Sequence, residues 1–202
     1  MERACRLKML MGQGKEVVYE VPGGRITRGE TSFVPGGRWA KVMFPDGSGY
    51  GLVSDTFYGF ENEAGNFAAV ICRGTRYCTD ITGNAAEFPE RPTADNGELK
   101  FNFAIASVEN DLERLSENFE QPPVTIMCTS HHGDLPPSGA LLEISRPGIK
   151  LCDLQYHNGI LTAWLQNQTD APQSFSLKTA KREQPITALP SWQISKIAIP
   201  LK

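Results

Sequence analysis

Leu99-Lys100-Phe101-Asn102-Phe103-Ala104-Ile105-Ala106 sets Leu99, Phe101, Phe103 and Ile105 on one face of an extended chain and Lys100 and Asn102 on the other. This period of two is the pattern of a half-buried β-strand, because successive side chains of a strand point to opposite faces. If the aromatic face is core, replacing Phe103 by Ala should cost roughly 3 to 5 kcal/mol.

Working outward, similar short runs recur at Glu16–Val21, Trp39–Phe44, Gly51–Ser54, Ala68–Cys72, Val124–Cys128, Ala140–Ile144, Ile149–Leu154, Ile160–Leu165, Ser174–Leu177 and Trp192–Ile199. Between them stand Pro22-Gly23-Gly24, Pro35-Gly36-Gly37, Pro45-Asp46-Gly47 and His157-Asn158-Gly159. Each combines residues that fix φ or tolerate positive φ, so they mark chain reversals. With 19 Gly and 14 Pro along 202 residues, long helices have little room. The pattern predicts an all-β fold, an antiparallel β-sandwich.

One segment departs from it. Val108, Leu112, Leu115 and Phe119 follow a spacing of four, three and four, which puts them on one stripe of a short helix packed on a sheet. Gln121-Pro122-Pro123 stops that helix, because proline lacks the amide donor and disfavours α geometry in the residue before it. The same place divides the chain into a lobe at 1–122 and a second lobe at 123–202 around Trp164 and Trp192. Residues 83–97 form a polar loop longer than most connections, expected to be functional or mobile.

The composition excludes several partner classes. A chain of this size buries roughly 70% of its unfolded surface, so its core needs neither metal nor disulfide. The 20 basic and 23 acidic residues lie in no long runs and leave a net charge of -3, which gives no field for nucleic acid or for an anionic membrane. No apolar stretch approaches the roughly 20 residues of a membrane span, and Lys8 interrupts the apolar run near the N-terminus, so a signal peptide is not expected. Five cysteines, Cys5, Cys72, Cys78, Cys128 and Cys152, lack framework spacing and suit reduced, buried thiols of a cytoplasmic protein. Cys72 and Cys78 lack the further ligands of a zinc site, and the adjacent His131 and His132 point to opposite faces of an extended segment, so no metal site is expected. Asn167-Gln168-Thr169 reads as a plain loop, since glycosylation there would require secretion.

A longer ordered series then carries a resemblance. It runs Arg28-Gly29-Glu30, Pro35, Trp39, Gly49 through Asp55, Tyr58-Gly59-Phe60, Gly65-Asn66, Val70-Ile71-Cys72-Arg73 and Asp95-Asn96-Gly97 ahead of Phe101-Asn102-Phe103. This series resembles the C-terminal β domain of family 38 α-mannosidases in order and spacing over about residues 20–106, and more loosely beyond. Thr56-Phe57 and Gly74-Thr75 depart from the family pattern.

The resemblance implies a sandwich related to galactose mutarotase, attached behind a catalytic barrel that holds zinc and an Asp nucleophile for retaining cleavage of α-mannosides. Those elements are not in this chain, and no pair of carboxylates here can be nominated for the two roles such cleavage needs. No catalytic residue and no cofactor are assigned to the chain itself. The implied partners are mannosides and the catalytic domain, with self-association through the uncovered face as a further expectation.

Arg73, Asp55 and Tyr58 are the candidate substrate-binding residues, because Arg and Asp bond hydroxyls directionally and Tyr offers a ring with a polar tip. The competing structural reading has Asp55 fixing a turn beside Tyr58-Gly59 through a backbone group or an arginine. Trp39, Trp164 and Trp192 read as core more readily than as sugar platforms. Two other functions stay open at this point: a non-catalytic carbohydrate-binding module, and a mutarotase-like epimerase with a facing acid and base.

Overall fold

A computed structural model describes residues 4–10, 16–73, 97–130, 132–133 and 137–201. The chain divides into two compact units, Met1–Thr125 and Ile126–Lys202.

The first unit is an antiparallel sandwich. One sheet has the order β1 (Ala4–Leu10), β8 (Asn66–Arg73), β7 (Gly59–Glu63), β4 (Thr31–Pro35). The other runs β3 (Gly24–Arg28), β2 (Glu16–Val21), β5 (Trp39–Met43), β6 (Gly49–Ser54), β9 (Phe103–Ser107). Alternate residues of both sheets meet in one core: Val17, Tyr19, Ala40, Val42 and Leu52 from the second sheet face Val34, Phe60, Phe67 and Ala69 from the first. Phe60 and Phe67 stack with ring centroids 5.7 Å apart, and Tyr19 closes on Phe60 at 5.5 Å.

The second sheet also has an apolar outer face, and α1 (Leu112–Glu120) covers it. Leu112 is buried with Trp39 and Val53, and Leu115 and Phe119 pack against them, so three of the four residues in the sequence stripe form this contact. Val108 stays outside the helix because the Asp111 side chain caps the first turn, accepting from the Arg114 amide at 3.1 Å. The close approach requires a glycine below it: a Cβ on Gly51 would lie 2.5 Å from the Leu112 side chain.

The second unit pairs β11 (Ile149–His157), β12 (Ile160–Asn167) and β15 (Ile194–Pro200) in one sheet, and β10 (Glu143–Ile144), β13 (Gln173–Lys178) and β14 (Glu183–Leu189) in another. Ile149, Leu161, Ala163, Leu165 and Ile199 form its core with Phe175, Leu177 and Leu189. The β11–β12 hairpin turns at Asn158 and Gly159, whose φ of 49° and 80° are the left-handed pair that a two-residue reversal demands.

The fold is all-β with α1 as the one helix among the described residues, but several local expectations are corrected. The strand expected over Leu99–Ala106 begins only at Phe103, and its aromatic face is not core: Phe103 is 41% and Ile105 59% exposed. Val124–Cys128 is no strand and is exposed throughout. Ala140–Ile144 contracts to β10. Trp192, with φ of 57°, precedes the last strand instead of starting it. Strands β1, β3, β4, β7 and β14 are additional. The thiols are not buried either: Cys5, Cys128 and Cys152 are exposed and Cys72 is half-buried, none of the four in a disulfide, while Cys78 lies outside the described residues. Asn167 closes β12 and is no loop residue. It is fully buried, and its side-chain amide donates to the carbonyls of Ala171, Leu189 and Pro190.

Candidate functional site

The connection from β6 to β7 crosses from one sheet of the first unit to the other, and it carries Asp55 and Tyr58. Ser54, at its root, is buried and donates to the Asn102 carbonyl at 2.8 Å, while the Thr56 amide donates back to the Ser54 hydroxyl at 3.1 Å. Asp55 then grips the same partner: one carboxylate oxygen accepts from the Asn102 amide at 3.1 Å and the other from the Asn102 side chain at 2.9 Å. The structural role weighed for Asp55 is therefore present, with Asn102 in place of an arginine. Partial burial works against the charge. The Asn102 side chain and backbone outweigh it, with help from Thr56, and hold the Asp55 carboxyl below its ordinary range.

This shift has a sign that can be checked. A carboxyl whose folded pKa lies below its unfolded value of about 3.9 adds stability above that value and loses it as pH falls through the folded pKa. Asp55→Asn is expected to flatten that acid limb of the stability curve, with a loss of about 1 kcal/mol at neutral pH, measured by urea melts between pH 7 and 3. Equal acid slopes in both proteins would contradict the assignment.

Phe57 points inward and is 1% exposed, with its ring against Phe101 at 5.8 Å and Phe103 at 6.1 Å. Tyr58 turns outward and is 62% exposed, while its carbonyl accepts from the Gly36 amide at 3.1 Å. Gly59 is required by close packing, since a Cβ there would lie 2.8 Å from the Phe33 ring. Arg73 closes β8, and β7 pairs antiparallel with β8 through Phe60 and Ala69, so Tyr58 and Arg73 belong to the same end of that sheet. Asp55 and Tyr58 thus share one connection, and Arg73 ends a neighbouring strand.

Beside this connection the outermost strand β9 and the segment leading into it present a row of apolar side chains. Ile105 pairs with Leu52 and shares its face, yet among the described residues no part of β9 enters the core between the sheets. Leu99, Phe101, Phe103 and Ile105 are between 36% and 59% exposed.

A second feature was not read from the sequence. Arg38 is held by Glu20, Glu113 and Glu120: its guanidinium donates to Glu113 at 2.6 Å and to Glu120 at 3.0 Å, and it makes a close ion pair with Glu20. Burial alone would weaken the guanidinium's hold on its proton, but Glu20 above all, then Glu113 and Glu120, raises it. Glu113 also accepts from the Trp39 indole at 2.9 Å. The available signal was the pair Glu113 and Glu120, seven residues apart on one side of the helix.

Of the tryptophans, Trp39 is core. Trp164 is 36% exposed with the Lys196 ammonium 5.5 Å over its ring, and the Trp192 indole donates to Asp170 at 3.0 Å. His132 is exposed, whereas His131 and Asp134 lie outside the described residues, as does nearly all of the loop expected at 83–97. Among the described residues, no group of three or more His, Cys, Asp or Glu is placed to hold a metal ion, and no helix is long and apolar enough to cross a membrane.

No protein-family model matches the chain, and no curated protein does. Solved structures do. An α-mannosidase from Enterococcus faecalis V583 superposes with a TM-score of 0.70 at 16% identity over 96% of this chain. A protein of glycosyl hydrolase family 38 from Enterococcus faecalis gives 0.66 at 15% identity, again over 96%. The chain spans only 25% and 26% of those two chains. It has the fold of about a quarter of that α-mannosidase and of that family 38 protein.

Proposed function

We propose that this chain is the C-terminal β scaffold of a family 38 α-mannosidase, supporting a zinc-bearing catalytic barrel supplied by the rest of the enzyme. The carrying observation is the exposed apolar row in which Leu99 and Phe101 lead into Phe103 and Ile105 of the outermost strand. Phe57 packs against two of its rings from below, and the side chains are ordered for contact instead of being dispersed singly over the surface. Fold neighbours four times as long supply a reason for such a face: most of their chain lies beyond the part matched here.

In this reading the whole enzyme hydrolyses terminal α-mannosides, the ligands of its zinc lie in the barrel, and the chain alone is inactive. Tyr58 and Arg73 approach the sugar cleft from the shared end of their sheet, and Asp55 sets the connection that carries Tyr58. Free thiols suit a cytoplasmic setting.

The test mixes the chain with the barrel-bearing polypeptide of the same enzyme. The chain alone should release no nitrophenol from an aryl α-mannoside with or without zinc, and the mixture should co-elute on gel filtration. Phe103→Asp combined with Ile105→Asp should abolish co-elution while leaving the chain folded, because both side chains are already about half in water. Zinc-dependent turnover by the chain alone, or co-elution unaffected by the double substitution, would refute the reading.

A further inference from the structure

The structure assigns Cys5 and Cys72 as a redox-modifiable pair that closes a disulfide across β1 and β8 when exposed to a disulfide oxidant such as oxidised glutathione. The two residues are direct partners in the antiparallel register of these strands, at a point where the register shifts between Cys5 and Arg6. Directly opposed Cα atoms in such a ladder lie about 4.5 to 5.5 Å apart, within the span of roughly 4.4 to 6.8 Å that a disulfide bridges.

Both thiols lie near one end of this strand pair. Cys5 alternates with Leu7 and Met9 along β1 and so shares their face, and the extra residue of β8 at the register shift, Ile71, carries the pairing on to Cys72. Cys5 is exposed and Cys72 half-buried, so an oxidant reaches the first and the second stays positioned to resolve it. Among the described cysteines, only these two are paired with each other in register.

The chemistry balances with the named oxidant. The Cys5 thiolate attacks one sulfur of oxidised glutathione, forms a mixed disulfide and expels one glutathione thiolate. The Cys72 thiolate then attacks Cys5 Sγ, forms the protein disulfide and expels the second glutathione, so two protein thiols are oxidised while one glutathione disulfide becomes two thiols. An exposed cross-strand bridge of this kind reduces more readily than a buried structural one. Because β1 is an outermost strand of its sheet, the bridge fixes the element with one pairing neighbour to the interior strand β8.

The experiment uses the full chain with Cys128→Ser and Cys152→Ser, which removes the two other exposed thiols. After incubation with oxidised glutathione, remaining thiols are alkylated and peptides are mapped without reduction. The expected result is a linked peptide containing Cys5 and Cys72, the loss of two alkylation sites, and a melting temperature several degrees higher that dithiothreitol reverses. Cys5→Ser and Cys72→Ser should each abolish both the linked peptide and the shift. Stable glutathionylation of Cys5 without closure, a bridge from Cys5 to Cys78, or a shift that survives Cys72→Ser would overturn the assignment.

Discussion

Arg38→Met is expected to destabilise the first unit by about 3 to 5 kcal/mol, the range for removing one partner from a buried ion cluster. The arginine side chain is 14% exposed and faces Glu20 at 13% and Glu113 at 19%, so two carboxylates would be left largely out of water without a cation. Glu120, at 42%, contributes little, as exposed pairs do. Denaturant melts at neutral pH measure it, and a loss below about 1 kcal/mol would contradict the account. Since the Trp39 indole donates to Glu113, its fluorescence should report the loosening of α1 in the same melts.

Phe57→Ala should cost about 3 to 5 kcal/mol as well, by a different route. The ring is fully enclosed and sits between the outer aromatic row and the core, so its removal leaves a cavity that the stiff connection around Ser54 and Asp55 cannot collapse into. The contrast with Phe103→Ala is diagnostic. Phe103 is 41% exposed, and its replacement should cost only about 1 to 2 kcal/mol in the isolated chain. Urea melts of the two variants side by side check the order, and equal losses would mean that the outer row is buried after all. In the proposed assembly Phe57→Ala should also weaken docking of the catalytic barrel, because Phe101 and Phe103 lose the surface they rest on.

That contrast shows what the sequence could and could not tell. Alternation in Phe101, Asn102, Phe103, Ala104 and Ile105 separates two faces of a strand, but it does not say whether the matter covering the apolar one belongs to the same chain. The helix was legible because Leu112, Leu115 and Phe119 state its buried stripe and Pro122 its stop, while its start, capped by Asp111, was not read and Val108 was wrongly included. Strands β3 and β4 were not, since each is five residues long and lies between turns. Phe60 and Asn62 of β7 are both buried, but Asn62 donates to the Gly29 carbonyl, so a core position there carries a polar residue and disguises the strand. The partner of Asp55 was invisible for a related reason: Asn102 stands 47 positions away, and nothing local announces it. Arg73 and Tyr58 could be placed at one sheet end only once the register of β7 against β8 was known.

The pairing of β1 with β8 also governs how the chain can assemble during synthesis. Residues 4–10 have no neighbour in their sheet until residues 66–73 have left the ribosome, which at about 5 to 20 residues per second is a wait of several seconds. Throughout that interval the nascent segment is an unsatisfied ribbon carrying Leu7 and Met9, a substrate for chaperones, and the sandwich can close only after its hairpins are already in place.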